Sequence, residues 1–177
     1  MKEIIKSTQT VYEGKILTLL LHDVVANGID TKREIVTKGG AVAIVPVKED
    51  GTVVMVRQYR IAVDEEILEI PAGLIDPGEE DTPLETAKRE LREETGYTAD
   101  EWVHLSEFYP TAGFCDEYVH LYLARGLTPG ETDFDPTEDL VTEEYPMEEL
   151  IKMIKSGEIH DGKTVAGLAL ARLETGF

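Results

Sequence analysis

The period of apolar and polar positions changes several times along the chain. Ile16 to Val25 is dense in leucine and valine, and Thr31 to Thr37 returns after a break. The intervening Asn27-Gly28 is a dipeptide suited to a two-residue type I′ turn, which predicts a β-hairpin. Ala41 to Val47 is a continuous apolar run, the pattern of a strand buried on both faces. After the Glu49-Asp50-Gly51 turn, Thr52 to Tyr59 reads as another strand. Ile67 to Ile70 is a short one that stops at Pro71-Ala72-Gly73. Trp102 to Tyr109, Tyr118 to Ala124 and Leu140 to Tyr145 complete the strand-like segments.

Helical spacing appears in three places. Thr82 can cap a helix, Pro83 takes its first position and Glu85 completes a capping box. That helix is expected to run to Thr95, with Gly96 as its stop. Leu84, Lys88 and Leu91 fall on one side of it, with Ala87 at the edge. Met147 to Lys155 carries Met147, Leu150, Ile151 and Ile154 at helical intervals and ends at Gly157. Asp161 can cap a last helix whose apolar face includes Val165, Leu168, Ala169 and Leu173. Gly73 to Asp81 (with Pro77-Gly78), Pro110 to Asp116 and Thr128 to Asp139 read as loops. The expectation is one α+β domain.

Charge narrows the partners. The 177 residues carry 17 Lys+Arg against 36 Asp+Glu, a net of −19. Such a surface repels nucleic acid and anionic membranes, so neither is an expected partner. An anionic small substrate requires a local reversal of sign. Cys115 is the one cysteine, which excludes an intrachain disulfide and a thiolate zinc site. Met1 to Lys6 has no apolar leader pattern, and no apolar run is long enough to span a bilayer, so a cytoplasmic protein is expected. His22, His104, His120 and His160 are scattered in sequence and read as structural or surface residues.

Candidate chemistry sits on the first helix. Glu90, Glu93 and Glu94 are spaced i, i+3 and i+4, so their carboxylates converge on one patch. Left alone they repel; a hard divalent cation such as Mg²⁺ or Mn²⁺ converts the repulsion into coordination. A solvated face stitched by Glu85–Arg89 and Arg89–Glu93 pairs explains the helix alone equally well. The preceding loop favours a site, because Gly73 allows backbone and ligand to approach closely.

Gly73, Glu79, Arg89-Glu90, Leu91, Glu93-Glu94, Gly96 and Tyr97 together resemble the Nudix hydrolase box. One departure is length: nine residues, 80 to 88, separate Glu79 from Arg89 where seven are usual. The extra two fit before Thr82 and leave the helix register intact. The resemblance implies a Nudix-type α/β/α sandwich with a mixed sheet and a catalytic loop-helix over residues 39–177. An N-terminal antiparallel strand region, 1–38, would precede it. It further implies that Glu90, Glu93 and Glu94 are metal ligands with the carbonyl of Ala72. Arg89 would orient the carboxylates and Glu79 would support the loop. The activity implied is cleavage of a nucleoside diphosphate linked to another group, with water and Mg²⁺ (or Mn²⁺).

Outside the box the chain looks most like the ADP-ribose pyrophosphatase branch, through Tyr12-Glu13-Gly14-Lys15-Ile16, Val56-Arg57-Gln58-Tyr59-Arg60, Glu69-Ile70-Pro71-Ala72-Gly73 and Gly113-Phe114-Cys115-Asp116-Glu117. On that resemblance Arg60, Arg33 and Gly73 contact the substrate, a nucleoside diphosphate sugar, and the protein is a homodimer paired through its N-terminal strands. Two departures bear on substrate and base. Thr111-Ala112-Gly113 stands where Ser-Pro-Gly is usual. In the later acidic loop Glu138 aligns with a metal ligand, but Pro136 occupies the place of the catalytic glutamate. Glu138, Asp135, Asp139 and Glu93 are therefore all candidate bases. Alternatives are a hydrolase for GDP-mannose or a nucleoside triphosphate, or an ADP-ribose-binding module without hydrolysis. Retention of Glu90, Glu93 and Glu94 argues for an enzyme.

Overall fold

Asn27 and Gly28 adopt φ of 52° and 82°, the left-handed conformations that a type I′ hairpin turn demands. The strands they join, β2 (Leu17–Ala26) and β3 (Ile29–Lys38), pair antiparallel along their full length. β1 (Ile4–Glu13) adds to the far side of β2, giving a three-stranded sheet in the order β1-β2-β3. The sequence pattern marks no bounds for β1, because all ten residues are exposed and obey no burial period. The computed structural model describes residues 2–75, 82–134 and 139–176.

β4 (Ala41–Pro46) is buried at every position, as its unbroken apolar run predicts. It lies inside a four-stranded mixed sheet with β7 (Ala72–Leu74), β8 (Thr98–Phe108) and β9 (Val119–Thr128), in the order β7-β4-β9-β8. β4 and β9 run parallel and the other neighbours antiparallel. β7 occupies the start of the stretch expected to be loop. Three residues are too few to show a period, and pairing with β4 makes them a strand. A third sheet, wholly antiparallel, places β5 (Thr52–Arg60) between β10 (Leu140–Pro146) and β6 (Glu65–Glu69).

Helices cover both faces of the four-stranded sheet. Ala87 and Leu91 of α1 (Pro83–Thr95) pack on Val42, Ile44, Tyr122 and Ala124. Alternate residues of the same strands, Ala43, Val45, Leu121 and Leu123, face the main core. There they meet Met55, Ile70, Leu150 of α2 (Met147–Ser156) and Leu168 of α3 (Gly162–Thr175). This is the expected α/β/α layering within an α+β fold. Among the described residues no helix is long and apolar enough to cross a membrane.

Two helix faces differ from expectation. On α1, Lys88 is exposed, and the buried set is Thr86, Ala87, Leu91, Glu94 and Thr95. The helix therefore turns the Glu94 carboxylate inward beside Ala87 and Leu91, while Lys88 stays at the solvent edge. On α3, Ala169 is exposed and Leu173 is 81% exposed, while Thr164, Gly167, Leu168 and Ala171 are buried. The cause is Gly167. A Cβ there would lie 2.7 Å from Ile70 Cδ1 and 3.1 Å from Val45 Cγ2, so the helix packs through its smallest residues.

Candidate metal and phosphate site

The position of the carboxylates begins with the start of α1. The Thr82 side chain accepts from the Glu85 N–H at 3.3 Å, and the Thr82 N–H donates to Glu85 Oε2 at 2.8 Å. The box is complete at both halves, and with Pro83 it fixes where the helix begins. Gly96 closes the other end at φ 75°. Between these stops Glu90, Glu93 and Glu94 share one face, and each meets a different fixed group.

Glu94 is 5% exposed, and its Oε2 accepts the Ala72 N–H at 3.0 Å. Glu90 lies directly over Gly73: a Cβ at residue 73 would sit closer than 3.0 Å to the carboxylate carbon and both its oxygens. Strand β7 thus supports two carboxylates, one through a backbone N–H and one through the missing side chain of a glycine. Arg89 Nη1 lies 2.9 Å from Glu90 Oε1 and 3.0 Å from Glu93 Oε2, joining the two acids through one nitrogen. Arg92 approaches Glu93 at 3.4 Å.

The Glu90, Glu93 and Glu94 carboxylates, with Gly73 beneath Glu90 and the Ala72 N–H on Glu94, make an oxygen-only donor set. Such a set fits a hard divalent cation, Mg²⁺ or Mn²⁺, better than zinc or copper. The described start of the acidic loop packs against the C-terminal turn of α1. The Asp133 N–H donates to the Glu93 carbonyl at 3.0 Å, and the Gly130 carbonyl sits against Gly96. Asp139 is exposed beside Leu140. Glu79, Asp135 and Glu138, also singled out from the sequence, lie outside the described residues.

Arg60 belongs to a neighbouring network that sequence spacing does not reveal. Glu69, 1% exposed at the end of β6, accepts from Arg60 Nε and Nη2, both at 2.7 Å, and from Lys163 of α3. The Glu69 hydrogen bond raises the Arg60 pKa above its ordinary value, against burial, and the charges of Glu94 and Asp161 add to it. Arg60 therefore lies within the electrostatic field of the carboxylate helix. The Thr164 hydroxyl accepts the Ile70 N–H at 3.0 Å, tying α3 to the same turn of chain. Glu69 and Lys163 are 94 residues apart, so only the fold brings them together.

Arg33 is placed elsewhere. It forks onto Glu3, with Nε at 3.1 Å and Nη2 at 2.7 Å, in an exposed pair on the N-terminal sheet. The histidines are not all apart as expected: His104 and His120 come together around Glu107. A surface cavity of about 610 Å³, lined by Lys48, Asp50, Tyr97 and Pro129 among others, includes none of the α1 carboxylates. It is not the site of this chemistry.

Comparison with known proteins adds independent observations. The NUDIX domain family matches residues 37–168. An ADP-ribose pyrophosphatase of Bacillus subtilis (strain 168) is 40% identical over 169 residues, covering 94% of this chain and 90% of that protein. A methanol dehydrogenase activator of Bacillus methanolicus is also 40% identical, over 172 residues, 94% of this chain and 91% of that one. A solved structure described as an ADP compounds hydrolase superposes with a TM-score of 0.88 at 26% identity, covering 99% of this chain and 95% of that one.

Proposed function

Because the chain belongs to the NUDIX domain family, we propose that it hydrolyses the diphosphate bond of ADP-ribose or a related nucleoside diphosphate sugar, releasing a nucleoside monophosphate and a sugar phosphate. The observation that carries this reading is the shelf of Glu90 and Glu94 on Gly73 and Ala72, beside Arg60. The high identity to an ADP-ribose pyrophosphatase over almost the whole chain supports the substrate class.

Glu90, Glu93 and Glu94, with the Ala72 carbonyl, would hold Mg²⁺ or Mn²⁺. When bound, the cation supplies neutralisation of the diphosphate and a more acidic water. The protein's own part is to keep the donors in place. Arg89 holds Glu90 and Glu93 in one orientation, and the Ala72 N–H fixes Glu94, so little reorganisation is needed when substrate arrives. Arg60, anchored by Glu69 at two nitrogens, offers its remaining donors to a phosphate. Proton acceptance from the attacking water is assigned to Glu93 or Glu138, and pH–rate profiles of Glu93→Gln and Glu138→Gln separate the two.

The homodimer and the cytoplasmic setting belong to the same proposal. β1 is exposed throughout, and Ile4, Ile5, Val11, Tyr12 and Ile29 each expose more than half of their surface. A second copy that covers this sheet explains the apolar residues there and brings Arg33 toward a shared substrate pocket. Sedimentation of the full chain and of a chain lacking residues 1–38 tests the pairing; two unchanged monomers count against it. Cell fractionation tests the location.

A second reading, an ADP-ribose-binding module without hydrolysis, is disfavoured by the three retained acids. A panel of nucleotide sugars and nucleoside triphosphates with Mg²⁺ and Mn²⁺, with product identification, decides between them. Release of AMP from ADP-ribose supports the proposal. Turnover of another compound alone moves the substrate, and tight ADP-ribose binding without any turnover supports the sensor.

A further inference from the structure

His104 and Glu107 are three residues apart on β8, a spacing that points side chains to opposite faces of a regular strand. The strand is not regular there. Its register against β9 shifts between His104 and Ser106: His104 pairs with Tyr122, and Glu107 pairs with His120. The bulge consumes one residue and turns His104 and Glu107 onto the same face as His120. Three donors from two strands thereby meet at one point. His104 Nε2 lies 3.4 Å and His120 Nδ1 3.2 Å from the same oxygen, Glu107 Oε1. All three ligand atoms fall within 4.8 Å of one another.

The two separations to Glu107 Oε1, 3.4 and 3.2 Å, match the edges of a tetrahedral site. With metal–ligand bonds of about 2.0–2.1 Å, the edges of a tetrahedron measure about 3.3–3.4 Å. A supporting partner is also present. The Tyr118 hydroxyl donates to the other carboxylate oxygen, Glu107 Oε2, leaving Oε1 turned toward the histidines. The Tyr118 ring packs edge-on against His120, with centroids 5.1 Å apart. His120 is 19% exposed and the other two 40–46%, so the place is open to an entering ion.

We propose that His104, Glu107 and His120 form a binding site for a zinc-class divalent ion, separate from the α1 carboxylates, with its fourth position open to water. The donor chemistry differs: two imidazoles and one carboxylate select zinc, nickel or copper, whereas the helix offers oxygen alone. The location differs as well. Gly73, Val42, His120 and Glu107 lie in one row across the sheet, which places β8 about 14 Å from β7 at ordinary strand spacing. A bound ion would fasten the bulged outer strand to β9.

The test is Zn²⁺ binding to the full-length protein by calorimetry in millimolar Mg²⁺, with metal content measured after dialysis. One Zn²⁺ per chain is expected. His104→Ala and His120→Ala each should weaken it more than tenfold, and Tyr118→Phe by about tenfold as an outer partner. Glu94→Gln should leave this Zn²⁺ affinity unchanged, and circular dichroism should show all variants folded. Absence of binding to wild-type protein, equal binding by wild type and both histidine variants, or loss of the ion in Glu94→Gln overturns the proposal. Failure to hydrolyse ADP-ribose would not touch it.

Discussion

The Glu90 carboxylate lies where the side chain of residue 73 would be, so Gly73 and Glu90 fit only because one of them has no Cβ. Gly73 does not adopt a left-handed φ, and Ala is therefore tolerated by the backbone. The Gly73→Ala variant should fold with a stability near or slightly below wild type, because a gain of up to about 1 kcal/mol from reduced unfolded-state entropy is offset by pushing the Glu90 carboxylate off Arg89. The displaced part is the movable end of Glu90. Activity should fall about 100-fold, as expected when a reacting group is misplaced by about 1 Å. Thermal unfolding and metal-dependent turnover, measured on the same preparation, check both halves.

Glu94 is the buried member of the set. Glu94→Gln keeps an oxygen for the Ala72 N–H but removes a charge. The melting temperature should stay near that of the wild type. Turnover should fall by more than the ~10–100-fold typical of losing an outer-sphere partner, with a weaker Mg²⁺ dependence. Near-normal kinetics would remove Glu94 from the metal site.

Glu69 anchors Arg60 and Lys163 from a position 1% exposed. Glu69→Gln takes the carboxylate from Arg60, which is 41% exposed, while Lys163 keeps Asp161 at 3.1 Å; the loss of these charge-assisted bonds should cost about 1.5–3 kcal/mol. Denaturant unfolding should show the loss. Arg60→Lys should instead raise KM for a diphosphate substrate, because one ammonium cannot reproduce the fork.

Acid stability has a defined contributor in Glu143. The Arg57 hydrogen bond holds its carboxyl below the usual value of 4.5, with help from Tyr145 and against burial. A depressed carboxylate stabilises the fold fully above the unfolded-state value. The contribution is lost as pH falls below about 4.5 through the folded value. Glu143→Gln should therefore be less stable than wild type at pH 7 and converge with it in acid. Unfolding curves between pH 7 and 3 test the convergence.

Much of this was legible in the sequence because it is local. The Thr82-Pro83-Glu85 start and Gly96 stop fix one helix, and spacing then puts Glu90, Glu93 and Glu94 together. The Asn27-Gly28 turn is equally local. The remainder depends on pairings that no short window contains. β7 is a strand because β4 lies beside it, and Glu69 meets Lys163 across 94 residues. His104 and Glu107 share a face because of a one-residue bulge, which reverses the alternation that sequence reading assumes. On α3, Leu168 and Val165 meet the core as their spacing suggests, but Ala169 and Leu173 do not, because Gly167 sets the closest approach and a hydrophobicity pattern gives a glycine little weight.

The most direct test of the site is AMP release from ADP-ribose as Mg²⁺ is titrated into metal-free wild-type protein and its Glu94→Gln variant. The carboxylate shelf predicts saturable, Mg²⁺-dependent release of AMP with an equal amount of ribose phosphate from the wild type, and almost none from the variant. Equal release by both proteins, or none from wild type at any Mg²⁺ concentration, would contradict it.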